Sequence, residues 1–260
     1  MLYDLGYVSG AEPFKKLINQ GMILGSDGQK MSKSRGNVVN PDTVIADYGA
    51  DSMRLYEMFM GPLEASKPWN MQGVEGVHRF LVKVWKLIID TDSGEVKTNI
   101  TETKADEQTN RILHQTIKKV LTDIENFRFN TAISQMMILT NHLTKLKSVP
   151  KDVVETFILI LSPFAPHMAE ELWSRLGRTT TLAYEPWPKF DETIAKEKQL
   201  ELAVQVLGKI KDKITVAADA DEEQIKHIAL ASEKVTAAIG DKEIKKVIVV
   251  KSRLVNIIIG

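Results

Sequence analysis

A short polar loop holds the residues of this chain that are best suited to binding phosphate. It places two ammonium groups, a thioether and two hydroxyls in a single run, Lys30, Met31, Ser32, Lys33 and Ser34. Ammonium and hydroxyl groups donate hydrogen bonds to phosphate oxygens, and a cation also offsets the phosphate charge. Gly25, Gly28 and Gly36 flank the run and favour a mobile backbone. The pattern indicates a polyphosphate-binding loop, although two lysines at this spacing also fit a solvated basic loop.

The composition limits the classes of protein that carry this loop. Among 260 residues, 34 basic and 34 acidic side chains cancel, so any contact with a nucleic acid depends on local patches. The chain has no cysteine, which excludes disulfides, a thiol nucleophile and a cysteine-ligated zinc site. No apolar run has the roughly 18–20 residues that span a bilayer, and the first residues lack the pattern of a signal peptide. We therefore expect a soluble cytoplasmic protein without a membrane segment.

Capping residues predict the helices that follow the loop. Asn40 is placed to cap a helix that ends at Gly49. Asp51 is placed to cap a second helix over 52–60, and we expect this role rather than contact with RNA. Gly73 is predicted to precede the next helix, which runs to about residue 89.

Apolar residues at helical spacing predict a bundle of four or five antiparallel helices in the middle of the chain. Pro163 and Pro166 divide the last of these helices, and Gly177 ends them. The pattern then changes to two-residue alternation, with strand candidates at 202–206, 246–250 and 254–259. A helix start with a capping box, marked by Asp219, Glu222 and Glu223, lies between these strands. The tail therefore reads as a small α+β domain.

Residues 30–37, Lys-Met-Ser-Lys-Ser-Arg-Gly-Asn, resemble the KMSKS signature of the class I aminoacyl-tRNA synthetases. Further stretches extend the resemblance over essentially the whole chain. Stretches 37–42 and 48–55 resemble the synthetases for leucine, isoleucine and valine, and 163–173 resembles a helix in the anticodon-binding bundle of all these enzymes. Stretches 60–70 and 73–81 are similar to the leucyl-tRNA synthetases specifically, and the tail stretches 204–209, 245–250 and 254–257 are similar to those of the bacterial type.

The chain departs from the family pattern in three places. Leu207 stands where the family usually has Asn, and Lys251 with Ser252 replaces a usual Pro-Gly turn, which puts the loop geometry of the tail in doubt. The second family signature, HIGH, does not occur around any of the five histidines. By this resemblance we expect a C-terminal fragment of a synthetase.

The resemblance implies a multidomain, mainly α architecture in three parts. Residues 1–75 are expected to form the end of a Rossmann-type catalytic domain with the stem-contact fold. This part includes the loop that carries Lys30 and Lys33, called the lysine loop below. Residues 76–190 are expected to form an antiparallel helical bundle of the anticodon-binding type. Residues 196–260 are expected to form a small α+β C-terminal domain that binds tRNA.

The implied reaction is the ATP-dependent attachment of leucine to tRNA-Leu in translation, with Mg²⁺ accompanying ATP. By resemblance Lys30 and Lys33 are the catalytic residues, because their ammonium groups neutralise charge that grows on the departing pyrophosphate. Residues 30–34 together are expected to bind ATP. The isolated chain is expected to be a monomer that binds tRNA without catalysing the reaction, and no metal ligands are expected within it.

Basic residues outside the loop are candidate tRNA contacts. Arg54 and Lys67 belong to the stretch that resembles the stem-contact fold, and Arg79 lies on the next helix, where a solvated face is an equal alternative. In the tail, lysines stand at every second position from 209 to 213, so a strand would point all three to one face. The other basic residues of the tail are expected to form a basic patch together with them. The tail candidates are Lys209, Lys211, Lys213, Lys245, Lys246, Lys251 and Arg253. Lysines that guard an edge strand against aggregation are the alternative.

Several aromatic residues leave more than one interpretation open. Trp69 either packs or stacks on a nucleotide, whereas Trp85 and Trp173 lie on apolar stripes that favour core packing. His167 is expected to cap or to pack rather than to bind a metal. Two other functions also stay open: a non-catalytic tRNA-binding module, and part of an isoleucyl or valyl enzyme. A P-loop nucleotide-binding site is excluded, because its glycine-rich motif does not occur.

Overall fold

A computed structural model describes residues 1–196, 199–250 and 253–260 of the chain. The chain divides into two compact units, Met1–Ala195 and Lys196–Gly260. The expected multidomain, helix-rich architecture is confirmed at this level. Lys251 and Ser252, the residues that replace the Pro-Gly turn, lie outside the described residues.

The first unit is built from helices, together with four two-residue strands. The helices are α1 (Pro41–Tyr48), α2 (Ala50–Phe59), α3 (Met71–Ile88), α4 (Glu107–Glu125), α5 (Phe129–Leu143), α6 (Lys151–Leu161), α7 (Pro166–Arg175) and α8 (Glu192–Ala195). The strands are β1 (Ile23–Leu24), β2 (Lys67–Pro68), β3 (Ile100–Thr101) and β4 (Val149–Pro150). Among the helices of the described residues, none is long and apolar enough to cross a membrane.

One hydrophobic core joins helices α1 to α7 of this unit. Leu55 of α2, Met136 of α5 and Phe157 of α6 are fully buried members of it. The apolar stripes predicted from the sequence supply most of these residues, because helical spacing places them on one face of each helix. Residues on both sides of position 75 pack in the same core, and the boundary there stays a prediction.

Two predicted helix starts differ from the structure. Helix α2 begins at Ala50 with Gly49 as its N-cap, so the prediction that Asp51 caps this helix is wrong. Helix α3 begins at Met71 after the N-cap Asn70, and Gly73 lies inside its first turn. A Cβ at Gly73 would lie 2.4 Å from the ring of Tyr56, so any larger residue would clash at this point of the helix. By contrast, Asn40 caps α1 as predicted, with its Oδ1 accepting the Asp42 N–H at 3.1 Å.

The described residues of the second unit form a four-stranded sheet with two helices. Its elements are β5 (Gln199–Val206), β6 (Lys209–Ala217), α9 (Glu222–Leu230), α10 (Glu233–Ile239), β7 (Ile244–Val250) and β8 (Leu254–Ile259). The strand order is β6-β5-β8-β7, with β5 and β8 parallel and the outer pairs antiparallel. Inward residues of the sheet, such as Val204 and Val255, pack with Ile225 and Val235 of the two helices. The predicted small α+β fold is confirmed for the described residues.

Local details of this unit refine two sequence predictions. The capping box before α9 is formed by Asp221 and Gln224, and its N-cap lies two residues after Asp219. Leu207 has φ of +49° in the two-residue turn between β5 and β6, followed by Gly208 at +77°. Asn and Gly tolerate this left-handed region better than Leu does, so the substitution of Leu for the family's usual Asn introduces local strain.

Candidate functional site

The lysine loop is a closed turn anchored at its base by strand pairing. β1 pairs in parallel with β2, and Leu24 forms a bridge with Lys30 across the loop. The Gly25 N–H donates to the Gln29 carbonyl at 2.8 Å, which closes the base of the turn. A short 3₁₀ helix, Lys33–Arg35, follows and ends at Gly36 with φ of +70°. The sequence therefore builds a shaped turn here, where the glycine pattern alone suggested only mobility.

The side chains of the loop divide between the core and solvent. Met31 packs against the hydrophobic core of the first unit, whereas Lys30 and Lys33 are exposed. Ser32 and Ser34 bond to each other through their hydroxyls at 2.7 Å. Neither lysine forms an ion pair within the ranges that the structure describes. Both ammonium groups are therefore free to meet an anion, which is the arrangement that the predicted phosphate chemistry requires.

Asn37 is a part of this site that the sequence analysis did not single out. Its Oδ1 accepts the Ser32 N–H at 2.9 Å, and its Nδ2 donates to both carboxylate oxygens of Asp27 at 3.1 Å. The same Nδ2 lies 3.3 Å from the Lys30 carbonyl. The sequence placed Asn37 at the end of the signature-like stretch 30–37, immediately after a glycine, which is a common position for side chains that bond to backbone groups.

Helix α2 connects the loop-bearing segment to the rest of the first unit. The Asp51 carboxylate accepts the N–H groups of His167 (3.4 Å) and Met168 (2.7 Å) at the start of α7. One turn further along α2, the Arg54 guanidinium donates to the Pro163 carbonyl at 3.1 Å. The Asp51 carboxylate thus lies at the positive N-terminal end of α7, and the Arg54 guanidinium binds a carbonyl oxygen in the bend that precedes this helix. Asp51 does cap a helix, but a different helix from the predicted one.

The three candidate tRNA contacts of the first unit have different surroundings. Arg54 is exposed but already bonds to Pro163, and Arg79 is exposed on α3 beside Glu75 at 3.9 Å. Lys67 is half-buried on β2 and lines a cavity of about 470 Å³. Burial lowers the pKa of the Lys67 ammonium, and neighbouring Glu64 partly opposes this effect. Of the three, Arg79 is the most available to a phosphate.

The basic residues of the tail occupy opposite edges of the sheet. Lys209, Lys211 and Lys213 lie on the edge strand β6, whereas Lys245 and Lys246 lie on the other edge strand, β7. Two strands separate these edges, at about 4.8 Å per step. One edge cannot carry all of these lysines, so a shared patch would have to extend across the sheet face. Arg253 is exposed just before β8, and Lys251 lies outside the described residues.

The lysines of β6 also differ from one another. A bulge opposite Val204 and Gln205 leaves Lys211 unpaired, which interrupts the alternation that predicted a single face. Lys213 bonds to Glu201 of the adjacent strand β5 at 2.7 Å, and this bond raises the pKa of the Lys213 ammonium group. Lys209 and Lys211 are exposed, and no ion pair involves them among the described residues.

The tryptophans mainly pack, whereas His167 lies at the surface and contacts Asp51. Trp69 is buried, with its ring 4.9 Å from that of Tyr56 in an edge-on arrangement. Trp173 is buried as predicted, and Trp85 is half-buried against the same core, with Arg175 over its ring at 5.5 Å. The imidazole of His167 is exposed, and its Nδ1 lies 2.8 Å from Asp51. The described residues contain no group of three or more acidic or histidine side chains placed to hold a metal ion.

Comparisons with known proteins agree with this arrangement. Residues 6–67 match the family model "tRNA synthetases class I (I, L, M and V)", and residues 106–227 match "Anticodon-binding domain of tRNA ligase". The chain is also similar to a solved structure described as the ternary complex of Agrobacterium radiobacter K84 agnB2 LeuRS, tRNA and LeuAMS. That similarity has 33% identity and a TM-score of 0.70, and it covers 100% of this chain. The chain spans 35% of the length of the solved one.

Proposed function

The chain belongs to the class I tRNA synthetases of the I, L, M and V group, and from this premise we propose that it is part of a leucine–tRNA ligase. One observation carries the choice of leucine: the whole chain aligns at 33% identity with a LeuRS solved with tRNA. In this proposal residues 1–75 contribute the end of the catalytic domain and the stem-contact fold. Residues 76–190 and 196–260 contribute tRNA-binding surfaces.

Lys30 and Lys33 supply the chemistry that the loop contributes to the reaction. When leucine reacts with Mg²⁺–ATP, negative charge grows on the pyrophosphate that leaves. Two exposed ammonium groups held on a shaped turn can close on this charge and stabilise the transition state more than the bound substrate. The hydroxyls of Ser32 and Ser34 exchange their mutual bond for phosphate oxygens. The adenylate pocket lies outside this chain, so the chain alone binds tRNA without catalysing the reaction.

The test is a titration of the 260-residue chain with three transcribed tRNAs, for leucine, isoleucine and valine, over a series of salt concentrations. Preferential binding of the leucine tRNA supports the proposal. Equal binding of all three favours a module that recognises tRNA shape, and preference for another tRNA assigns the chain to that enzyme. Absence of binding at low salt contradicts the proposal, because phosphate contacts are strongest there.

A further inference from the structure

We propose that Asn37 is a positioning residue that latches the lysine loop in a closed form and thereby orients Lys30 and Lys33 toward phosphate. This inference rests on the proposed function for its catalytic consequence, but the latch itself is a property of this chain. Asn37 would touch neither ATP nor the amino acid. Its effect is exerted through the backbone of the loop.

The oxygen and the nitrogen of the Asn37 side-chain amide form hydrogen bonds with different parts of the loop. The acceptor end takes the N–H of Ser32, which lies between Met31 and Lys33 in the chain. The donor end reaches the Asp27 carboxylate and the Lys30 carbonyl. One side chain therefore fixes the backbone on both sides of Met31, at Lys30 itself and at Ser32, the residue that precedes Lys33.

Asp27 provides a fixed partner for the donor end. Its Oδ1 accepts the Gln29 N–H at 3.0 Å as well as the amide of Asn37. The Gln29 N–H, the Asn37 amide and the nearby Arg35 charge lower the pKa of the Asp27 carboxyl. The carboxylate is therefore ionised at neutral pH, where it is the stronger acceptor.

The lack of a side chain at Gly25 independently supports the contact between Asp27 and Asn37. A Cβ at Gly25 would lie 2.7 Å from Asp27 Oδ1 and 2.8 Å from Asn37 Nδ2. Both distances are shorter than a carbon atom tolerates, and Gly25 itself is buried beneath these groups. The position thus leaves room for the pair of side chains, and any larger residue there would push the latch open.

A latch matters because the lysines have little other support. Only Met31 of the run packs against the core, and the ammonium groups extend into solvent. A loop that is already ordered loses less conformational freedom when the transition state forms, so it places the charges at lower cost. A residue with this role affects kcat more than the KM for leucine.

The first experiment uses the 260-residue chain and limited digestion with trypsin, which cleaves after Lys30, Lys33 and Arg35. Cleavage at these three sites is quantified by mass spectrometry. Asn37→Ala is expected to raise the rate about tenfold, because at least two hydrogen bonds of the closed turn are lost. Ser26→Ala, an exposed change in the same loop, is the matched control and should leave the rate unchanged. An unchanged rate in Asn37→Ala overturns the latch.

An exchange of the two partners separates the latch from a general loss of folding. Asn37→Asp keeps the acceptor for Ser32 but places two carboxylates together, so it should open the loop. The double variant Asp27→Asn with Asn37→Asp restores a donor–acceptor pair in the reverse sense. Recovery of slow cleavage in the double variant supports direct pairing, and failure to recover contradicts it. Tryptophan fluorescence confirms that each variant is folded.

The second experiment measures ATP–pyrophosphate exchange in the longer ligase that this chain is proposed to belong to. Asn37→Ala should lower kcat by about 10-fold or more while the KM for leucine stays the same. If Asn37→Ala speeds tryptic cleavage of the loop but leaves the rate of ATP–pyrophosphate exchange unchanged, the positioning role is refuted. Normal exchange after Lys33→Ala would instead refute the proposed function, and the digestion result would still decide whether the latch exists.

Discussion

The carboxylate of Asp51 caps the helix that carries His167, a residue 116 positions further along the chain. Helix α7 begins with Pro166, which has no N–H, and its N-cap residue Ala165 provides no side-chain acceptor. Asp51 takes the next two N–H groups, those of His167 and Met168. A side chain of α2 thus supplies the cap that the sequence of α7 lacks, and it ties the segment after the lysine loop to the bundle.

Replacement of Asp51 by Ala should destabilise the first unit by about 1–3 kcal/mol, because two amides at a helix start lose their acceptor. Asp51→Asn should cost less, since it keeps one oxygen acceptor but loses the charge that interacts with the helix dipole. Urea unfolding followed by tryptophan fluorescence measures the effect on this unit alone. All four tryptophans, Trp69, Trp85, Trp173 and Trp187, lie within it.

Asp47→Ala is the control for this experiment, because Asp47 is an exposed aspartate on the preceding helix. It should change the free energy of unfolding by less than about 0.5 kcal/mol. Equal stability of the Asp51→Ala and Asp47→Ala variants would show that the cap contributes nothing measurable.

Asp123 should make the stability of the first unit dependent on acid. Burial opposes its ionisation, but hydrogen bonds from Lys119, Thr131 and Arg128 outweigh burial and lower the pKa of the Asp123 carboxyl. A carboxyl whose pKa is lower in the folded state stabilises the protein at pH values above its pKa in the unfolded chain, about 3.9. This stabilisation disappears as the pH falls toward the pKa of the folded state.

Asp123→Asn should therefore cost roughly 1–3 kcal/mol at pH 7 and flatten the loss of stability below about pH 4. Urea unfolding at several pH values, with tryptophan fluorescence as the probe, measures both effects. Glu125→Gln on the same helix is the exposed control. Parallel pH curves for the wild type and Asp123→Asn would contradict the assignment.

Lys33→Ala should slow ATP–pyrophosphate exchange by roughly 10²–10³ in the longer ligase, because a donor to developing charge is lost. Lys30→Ala should act in the same direction. Binding of tRNA by the 260-residue chain should change little in either variant, and Lys104→Ala, an exposed lysine elsewhere, serves as the control. Exchange at the wild-type rate would remove these lysines from the catalytic machinery.

Lys209 and Lys213 should differ in their contribution to tRNA binding, although both are exposed on β6. A contact between Lys209 and a tRNA phosphate releases a counterion from the RNA. Lys209→Ala should therefore reduce the slope of log affinity against log salt concentration by nearly one unit. Lys213 is already paired with Glu201, so Lys213→Ala should have a smaller effect. Glu201→Gln should free the ammonium group and tighten binding at low salt. Identical slopes for both alanine variants would contradict this distinction, and a flat salt response would leave only the edge-strand role.

Features set by neighbouring residues could be predicted from the sequence. The cap at Asn40, the division of helices at Pro163 and Pro166, and the tail strands are all confirmed. Each depends on a few adjacent residues, because capping, proline geometry and side-chain alternation act over one or two turns. The lysine run was also visible, since its chemistry lies in consecutive residues.

Features set by distant residues required the tertiary structure. The partner of Asp51 lies on another helix, and no local pattern distinguishes a cap for its own helix from a cap for a remote one. The lysines of β6 and β7 lie at opposite edges because β5 pairs with β8 between them. The bonds of Asn37 appear only when both arms of the loop meet. The sequence by itself determined which groups this protein carries, whereas the packing of its helices and the order of its strands decided which of them meet.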